Sequence, residues 1–164
     1  MKRIIVITAA LFLLTAGISA QNGKSIYNKY SDSEEVSAVY ISSTMFRMMG
    51  RIPNMNMGNG QVNLGSIIND LDAMYVLDCD EGKTCAELKE DVNKYIKKYE
   101  FELLMEIKDK GEVVKMYTAG NEKTVTHFIM TAAEKEAFTF ICLDGTMSRA
   151  ELEKLIAKAT QEMQ

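Results

Sequence analysis

The stretch between residues 100 and 143 constrains the fold more than any other part of the chain. From residue 100 to residue 108 the odd positions are apolar and the even positions are charged, with Leu104 as the one exception. Alternation with a period of two predicts a strand with one buried face, and Asp109-Lys110-Gly111 predicts a tight hairpin turn after it. The same reasoning predicts four consecutive strands and places the end of the last one at Gly145. They cover residues 100–108, 112–119, 124–131 and 137–143.

Two longer segments have the spacing of amphipathic helices. Residues 84–99 carry one apolar stripe, and Thr84 with Glu87 predicts a capping box at the start. Ser148 and Glu151 predict a second capping box before a C-terminal helix. The remaining segments are shorter. They predict one or two helical turns within residues 21–35, strands over 36–42 and 73–77, and short helices over 43–49 and 64–71.

This order of elements predicts an α+β fold. Strands joined by hairpins favour a mixed or antiparallel sheet, here of about six strands, of which the last four form a meander. A half-buried sheet needs a cover on its apolar face, and the two long amphipathic helices are suited to provide it. We therefore predict a two-layer sandwich in which amphipathic helices cover the sheet.

The N-terminus has the pattern of a cleavable secretory signal. Lys2 and Arg3 precede an apolar run over residues 4–14, and small residues follow up to Ala20. The run is shorter than the ~20 residues that a membrane span needs. No Cys follows the small residues, so the pattern predicts no membrane anchor after cleavage. We expect a signal peptide over 1–20 and a single soluble domain over 21–164, located in the periplasm or secreted.

Charge excludes some classes of partner. The chain has 19 Lys and Arg against 23 Asp and Glu, a net charge of −4, and two of the basic residues lie in the signal peptide. A nucleic-acid-binding protein needs a basic patch to meet the phosphates, and no basic cluster is present. The same argument excludes an anionic membrane surface. The expected partner is an envelope protein or a small ligand.

Three cysteines raise the question of disulfides. Cys79 and Cys85 lie close in sequence, and a bridge between them would close a short loop worth on the order of 2 kcal/mol. Two free thiols are the alternative, and the sequence leaves both open. Cys142 lies in an apolar strand and is most simply a small core residue.

No constellation of residues predicts catalysis. A nucleophile elbow, a phosphate loop and a dinucleotide fingerprint are all missing from the sequence. The lone His127 lies between Val125 and Ile129 on one expected strand face, and nothing near it in sequence is a nucleophile or a carboxylate. A zinc site from the three cysteines and His127 has no support from spacing. We predict no catalytic residue and no cofactor.

Methionine is concentrated in one segment. Met45, Met48, Met49, Met55 and Met57 fall within thirteen residues. Thioethers are soft ligands that suit Cu(I), so Met45, Met48, Met55 and Met57 form a candidate copper site. The alternative is that Met45 and Met49 pack on the core, while the others form an adaptable apolar surface for a partner. Residues 50–63 around them have the composition of a loop.

Four segments together resemble a known family. They are VSAVYISSTMF at 36–46, LDAMYVLDC at 71–79, YEFELLMEIKDKGEVVKMY at 99–117 and FICLDGTMSRAELEKL at 140–155. In order and spacing they are similar to domain of unknown function 4252, an exported family typical of Bacteroidetes. The resemblance implies a protein with an export signal and no established activity, so it implies no catalytic residues.

These observations favour one function over two others. The first expectation is a non-enzymatic envelope protein that binds a partner or small ligand through residues 45–64 and the adjoining sheet edge. The alternatives are a periplasmic Cu(I)-binding protein and an enzyme whose site has no recognisable motif.

The cleavage site gives the first testable prediction. Export should remove residues 1–20 and leave Gln21 as the new N-terminus, because cleavage follows small residues such as Ala20. Mass spectrometry of the protein recovered from outside the cytoplasm would measure this N-terminus. An exported chain that still begins at Met1 would contradict the prediction.

Overall fold

The computed structural model of the protein describes residues 23–49 and 70–162. Several predictions lie outside these residues. They concern the signal peptide with its cleavage between Ala20 and Gln21, the loop that contains Met55 and Met57, and the short helix at 64–71 up to residue 69. The prediction of helix is wrong for Leu71, which begins a strand.

Within the described residues the chain forms four helices and six strands. The helices are α1 (Lys24–Tyr30), α2 (Ser43–Met49), α3 (Lys83–Lys98) and α4 (Arg149–Glu162). The strands are β1 (Ser37–Ser42), β2 (Leu71–Cys79), β3 (Glu102–Asp109), β4 (Glu112–Gly120), β5 (Thr124–Glu134) and β6 (Ala137–Ser148).

All six strands join one antiparallel sheet in the order β1-β2-β6-β5-β4-β3. The α+β sandwich is therefore confirmed, and so is the C-terminal meander, because β3, β4, β5 and β6 are neighbours in both sequence and space. The hairpin between β3 and β4 turns at Lys110 and Gly111, which both have positive φ. Positive φ at both central residues is the geometry that keeps a two-residue hairpin in register with the strand twist.

One face of the sheet carries the larger core, which we call the α3 face. Alternate residues of β2 and β6 point to it, including Tyr75, Leu77, Phe138 and Phe140. α3 covers these side chains with an apolar stripe of its own, formed by Cys85, Leu88, Val92, Tyr95 and Ile96. α1 lies beside α3 and adds Ile26 and Tyr30. Burial of side chains of this kind stabilises a fold by roughly 1.5–3 kcal/mol each.

The opposite face carries a second core, which we call the α4 face. Phe128 of β5 and Met147 of β6 are buried there with Phe46 of α2 and Leu152 of α4. The two long helices therefore lie on opposite faces, whereas the sequence pattern predicts that they share one. An amphipathic stripe shows that a helix covers something, but the side of the sheet that it covers depends on the path of the chain.

A β-bulge lets the last strand continue beyond the position where the sequence pattern predicts its end. Gly145 was expected to end it, but β6 continues to Ser148, so this prediction is wrong. The pairing of β2 with β6 shifts between Leu71 and Ala73, opposite Gly145. Gly145 has φ +144°, and a Cβ at this position would lie 2.6 Å from both Asp70 O and Leu71 Cα. Here glycine allows a close approach of two strands.

A second bulge explains why Leu104 breaks the alternation of apolar and charged residues in β3. The pairing of β3 with β4 shifts between Leu103 and Met105, which places the shift at Leu104. Leu103 therefore pairs with Tyr117 on the α3 face, while Met105 pairs with Met116 on the α4 face.

The capping box predicted at Thr84 is wrong. α3 begins one residue earlier, at Lys83, after Gly82 at the N-cap position, and no side chain caps it. Thr84 lies inside the first turn, where it cannot act as the N-cap. Gly82 adopts φ +102° at this helix start.

Substitution at Gly145 tests the close approach at the bulge. Gly145→Ala should lower the free energy of unfolding by on the order of 2–3 kcal/mol, because the methyl group meets backbone atoms as well as adopting a strained φ. Gly111→Ala is the matched control, since Gly111 also has positive φ but has open space around it. Urea unfolding would measure both, and equal losses would show that φ strain alone decides the effect.

Candidate functional site

A thiol, a carboxylate and an imidazole meet on the α3 face of the central strands. Cys142 and Asp144 lie two residues apart on β6, and β5 places His127 directly opposite Asp144. The Cys142 thiol donates a hydrogen bond to Asp144 Oδ1 over 3.3 Å, and His127 Nε2 lies 3.8 Å from the same oxygen. The structure thus brings His127 close to a carboxylate, which the sequence alone did not indicate.

The position of His127 depends on a third bulge. The pairing of β5 with β6 shifts between Val125 and His127. Val125 consequently joins the α4 face, while Ile129 packs on the α3 face. The prediction that Val125, His127 and Ile129 share one face is therefore wrong for Val125. The His127 ring makes an edge contact with Phe101, with ring centroids 6.2 Å apart.

Asp144 also holds the beginning of α1. The Gly23 N–H donates a hydrogen bond to Asp144 Oδ2 over 3.1 Å. Gly23 is the N-cap position of α1 and has no side chain to cap the helix, and the first turn has no acidic residue. A carboxylate from β6 therefore supplies the negative charge that favours a helix N-terminus. The contact is tight, since a Cβ on Gly23 would lie 2.6 Å from Cys142 Sγ.

Burial sets the protonation of this cluster. Desolvation raises the pKa of Asp144 to about 6, against the hydrogen bonds from Cys142 and Gly23, which lower it. Desolvation also raises the pKa of Cys142 well above its usual value and lowers the pKa of His127. At pH 7 the thiol is protonated, the imidazole is neutral and most of the carboxylate is charged.

These protonation states do not activate a nucleophile. A reactive cysteine is a thiolate beside an imidazolium or another positive group. Here Cys142 is fully buried and its thiol donates a hydrogen bond to a carboxylate, and Asp144 lies between Cys142 and His127. His127 Nδ1 is within 2.9 Å of the Thr126 hydroxyl, so its other nitrogen is engaged as well. The arrangement suits attachment of α1 to the sheet better than catalysis.

The far end of α1 is attached in a similar way. Tyr30 donates a hydrogen bond to Asp91 Oδ2 of α3 over 2.7 Å, and Lys29 forms an ion pair with the same carboxylate. Two carboxylates, Asp144 and Asp91, thus hold the two ends of a helix only seven residues long. A helix this short has little stability of its own, so such tertiary contacts decide whether it forms.

Cys79 and Cys85 are joined by a disulfide, with their Cα atoms 5.7 Å apart. The bridge connects the last residue of β2 to the first turn of α3. Its two sulfurs are therefore not available as metal ligands, and Cys142 is a free, buried thiol. In residues 23–49 and 70–162, no three His, Cys, Asp or Glu side chains are grouped closely enough to hold a metal ion.

The described methionines of the Met-rich segment lie on α2. Met45 and Met48 are 48% and 62% exposed, while Phe46 between them is buried on the α4 face. They lie three residues apart, which places them on the same side of a helix. Met55 and Met57, the other candidate Cu(I) ligands, lie outside the described residues.

The two edges of the sheet differ in charge. β3, at one edge, contains Glu102, Glu106, Lys108 and Asp109. Charged side chains of this kind discourage another chain from pairing with an edge strand. β1, at the other edge, has the sequence Ser-Ala-Val-Tyr-Ile-Ser and carries no charge. Of the two edges that the structure describes, β1 is the one without this protection.

Apolar side chains are exposed on both faces of β1. Val39 is 49% exposed and Tyr40 is 53% exposed, and adjacent residues of a strand point to opposite faces. Tyr40 is held in place by two other rings, since it stacks on Tyr75 at 5.5 Å and lies 6.1 Å from Tyr27. A half-exposed aromatic ring in a fixed position is a common anchor in protein interfaces.

Taken together, these features define a small α+β protein built on one antiparallel sheet, with a disulfide, a cluster of one thiol, one carboxylate and one imidazole, and one uncharged edge. The chain belongs to the family described as Domain of unknown function (DUF4252), whose model matches residues 30–155. No curated protein and no solved structure matches the chain. Among the helices described here, none has the length and apolar character required to cross a bilayer.

Sequence reasoning missed Asp144, although a signal for it exists. Asp144 is in phase with Phe138, Phe140 and Cys142, which all point to the larger core. A single acidic residue in phase with a buried stripe indicates a buried carboxylate that needs a partner. The partner here is the backbone of Gly23, and nothing in the sequence identifies it.

The buried carboxylate predicts a particular dependence of stability on pH. The pKa of Asp144 is higher in the folded protein, about 6, than the ordinary 3.8, so the folded state holds its proton more tightly. This group therefore stabilises the fold most at low pH. The contribution falls as pH rises from about 4 to about 6, by on the order of 3 kcal/mol in total.

Asp144→Asn should remove this dependence, because Asn does not titrate. Urea unfolding of both proteins across this pH range would measure the difference in free energy of unfolding. The loss of stability caused by the substitution should be larger at pH 4 than at pH 7. His127, whose pKa is lowered, contributes in the opposite direction in both proteins. A difference that grows with rising pH would contradict the prediction.

Proposed function

We propose that this protein is a non-enzymatic binding module of the cell envelope that takes up an extended segment of a partner protein along β1. One observation carries the proposal. β1 is an uncharged edge strand with a half-exposed apolar side chain on each face, and the exposed Met45 and Met48 follow it directly on α2.

Strand addition explains why these features occur together. An extended segment that pairs with β1 would satisfy the backbone groups on the outer side of the edge, and its alternate side chains would meet Val39 on one face and Tyr40 on the other. Main-chain hydrogen bonds give such complexes affinity, and the side-chain contacts give specificity. Met45 and Met48 extend the apolar surface with flexible side chains that adapt to the partner.

Two features support an exported location. The first 20 residues have the pattern of a secretory signal. The Cys79–Cys85 bridge is a second support, because structural disulfides persist in oxidising compartments. The proposed module would act in the periplasm or after secretion.

The alternative hypothesis is that the methionines of α2 bind Cu(I). It requires thioethers that converge on one ion. Met45 and Met48 lie on one side of α2, yet both are largely exposed to solvent, as expected of an interaction surface. The partner hypothesis uses these two methionines together with Val39 and Tyr40, so it accounts for more of the exposed apolar surface.

A lysine on the edge strand tests the proposal. Val39→Lys should reduce capture of the partner from envelope extracts by at least about tenfold, which corresponds to about 1.4 kcal/mol. The physical reason is that an incoming strand would desolvate the added charge, as it does on naturally protected edges. Quantitative mass spectrometry of proteins retained by the immobilised mature chain would measure the change.

Leu103→Lys is the matched control, because Leu103 is 51% exposed on the opposite edge strand and Val39 is 49% exposed. This variant should retain every protein that the unmodified chain retains. If Val39→Lys captures the same proteins in the same amounts, β1 is not the binding edge. If both variants lose the same proteins, the effect comes from added charge rather than from the edge.

A further inference from the structure

A cavity of about 240 Å³ lies beside α3, between that helix and the meander. Its floor is the α3 face of β4, β5 and β6, where Val113, Ala133 and Phe138 form an apolar surface. Lys89 and Asn93, one turn apart on α3, line one side. Lys115 and Thr131, which are paired residues of β4 and β5, complete the lining.

The polar groups of this cavity have the capacity to bind a further group. Lys89 is half-buried, and no carboxylate pairs with it within residues 23–49 and 70–162. Thr131 is 6% exposed, and its hydroxyl has no hydrogen-bond partner in the described parts of the chain. The Thr131 hydroxyl and the Lys89 ammonium group therefore have hydrogen-bonding capacity left for a group that enters the cavity.

The local charge is positive although the protein is acidic overall. Lys115 pairs with Glu106 at 3.1 Å, and Lys108 pairs with the other oxygen of Glu106 at 2.7 Å. Glu106 thus neutralises only one of the two lysines with which it pairs, and Lys89 adds a further unpaired positive charge at the cavity. The nearby Glu112 and Glu134 alternate with the lining residues and so point to the opposite face of the sheet.

We propose that this cavity binds a small organic anion, a carboxylate with a short apolar body. The ammonium groups of Lys89 and Lys115 would hold the charge, with Asn93 and Thr131 as hydrogen-bond donors. Val113, Ala133 and Phe138 would contact the apolar part. The volume is that of about eight water molecules in the liquid, at about 30 Å³ each, and is below the usual range for drug-sized ligands. The site is separate from β1 and independent of the proposed function.

Titration of the mature protein with hexanoate, followed by two-dimensional NMR of the backbone amides, tests the proposal. Saturable shifts are expected at Lys89, Asn93 and Thr131. Hexanol, which has the same apolar body without the charge, should bind at least about tenfold more weakly. Inorganic phosphate, which has the charge without the apolar body, should also bind at least about tenfold more weakly. Equal affinity for hexanol or for phosphate would overturn the proposal, and so would the lack of saturable shifts with hexanoate.

Two substitutions sharpen the test. Lys89→Gln should weaken hexanoate binding by at least about tenfold, because it removes the unpaired charge and leaves a polar side chain that is one bond shorter. Lys94→Gln is the matched control, since Lys94 lies on the same helix but is exposed and pairs with Glu90. Hexanoate should bind this control as tightly as it binds the unmodified protein. Unchanged binding in Lys89→Gln would overturn the proposal, and so would an equal loss in both variants.

Discussion

The rest of the structure depends on the backbone pairing of β6 with two neighbours. β6 is the longest of the six strands that the structure describes, and it hydrogen-bonds to β2 on one side and to β5 on the other. Because its side chains alternate, the same strand supplies Phe138 and Phe140 to one core and Met147 to the other. α3 and α4 contact it directly, the start of α1 is hydrogen-bonded to its Asp144, and Phe46 of α2 shares a core with its Met147. A strand that contributes to both cores therefore also positions the helix attachments and the cluster of Cys142, Asp144 and His127.

The sequence predicted features that depend on neighbouring residues. The four-strand meander and the hairpin at Lys110 and Gly111 follow from alternation and turn chemistry, which act over a few positions. Leu104, the one break in alternation, marked the position of a bulge. The extent of β6 was misjudged because glycine usually ends a strand pattern, whereas Gly145 allows a close approach of β2 within the sheet. Local sequence signals thus predicted the strands and turns of the meander. They failed for the end of β6, because the pairing of distant strands determines where that strand ends.

The candidate sites could not be predicted because they combine distant parts of the chain. Asp144 of β6 meets the backbone of Gly23, 121 residues earlier, and His127 reaches it only because a bulge shifts β5. The anion cavity joins one flank of α3 to paired residues of β4 and β5, so no spacing along the sequence reveals it. The β1 edge was partly visible, since its apolar residues and the methionines after it are local, but its position at the end of the sheet is a property of the topology.

The disulfide between Cys79 and Cys85 depends on the redox conditions under which each chain folds. It fastens the start of α3 to the end of β2, and it is the only covalent link between a helix and the sheet, apart from the chain itself, in the described residues. Thiols are kept reduced in the cytoplasm, so this link would form only once the chain has reached an oxidising compartment. A chain that folds under reducing conditions would lack this link, and its α3 would be held to the sheet only by packing and by the chain itself. The redox state of this pair of sulfurs therefore reports whether an individual chain folded under reducing or oxidising conditions.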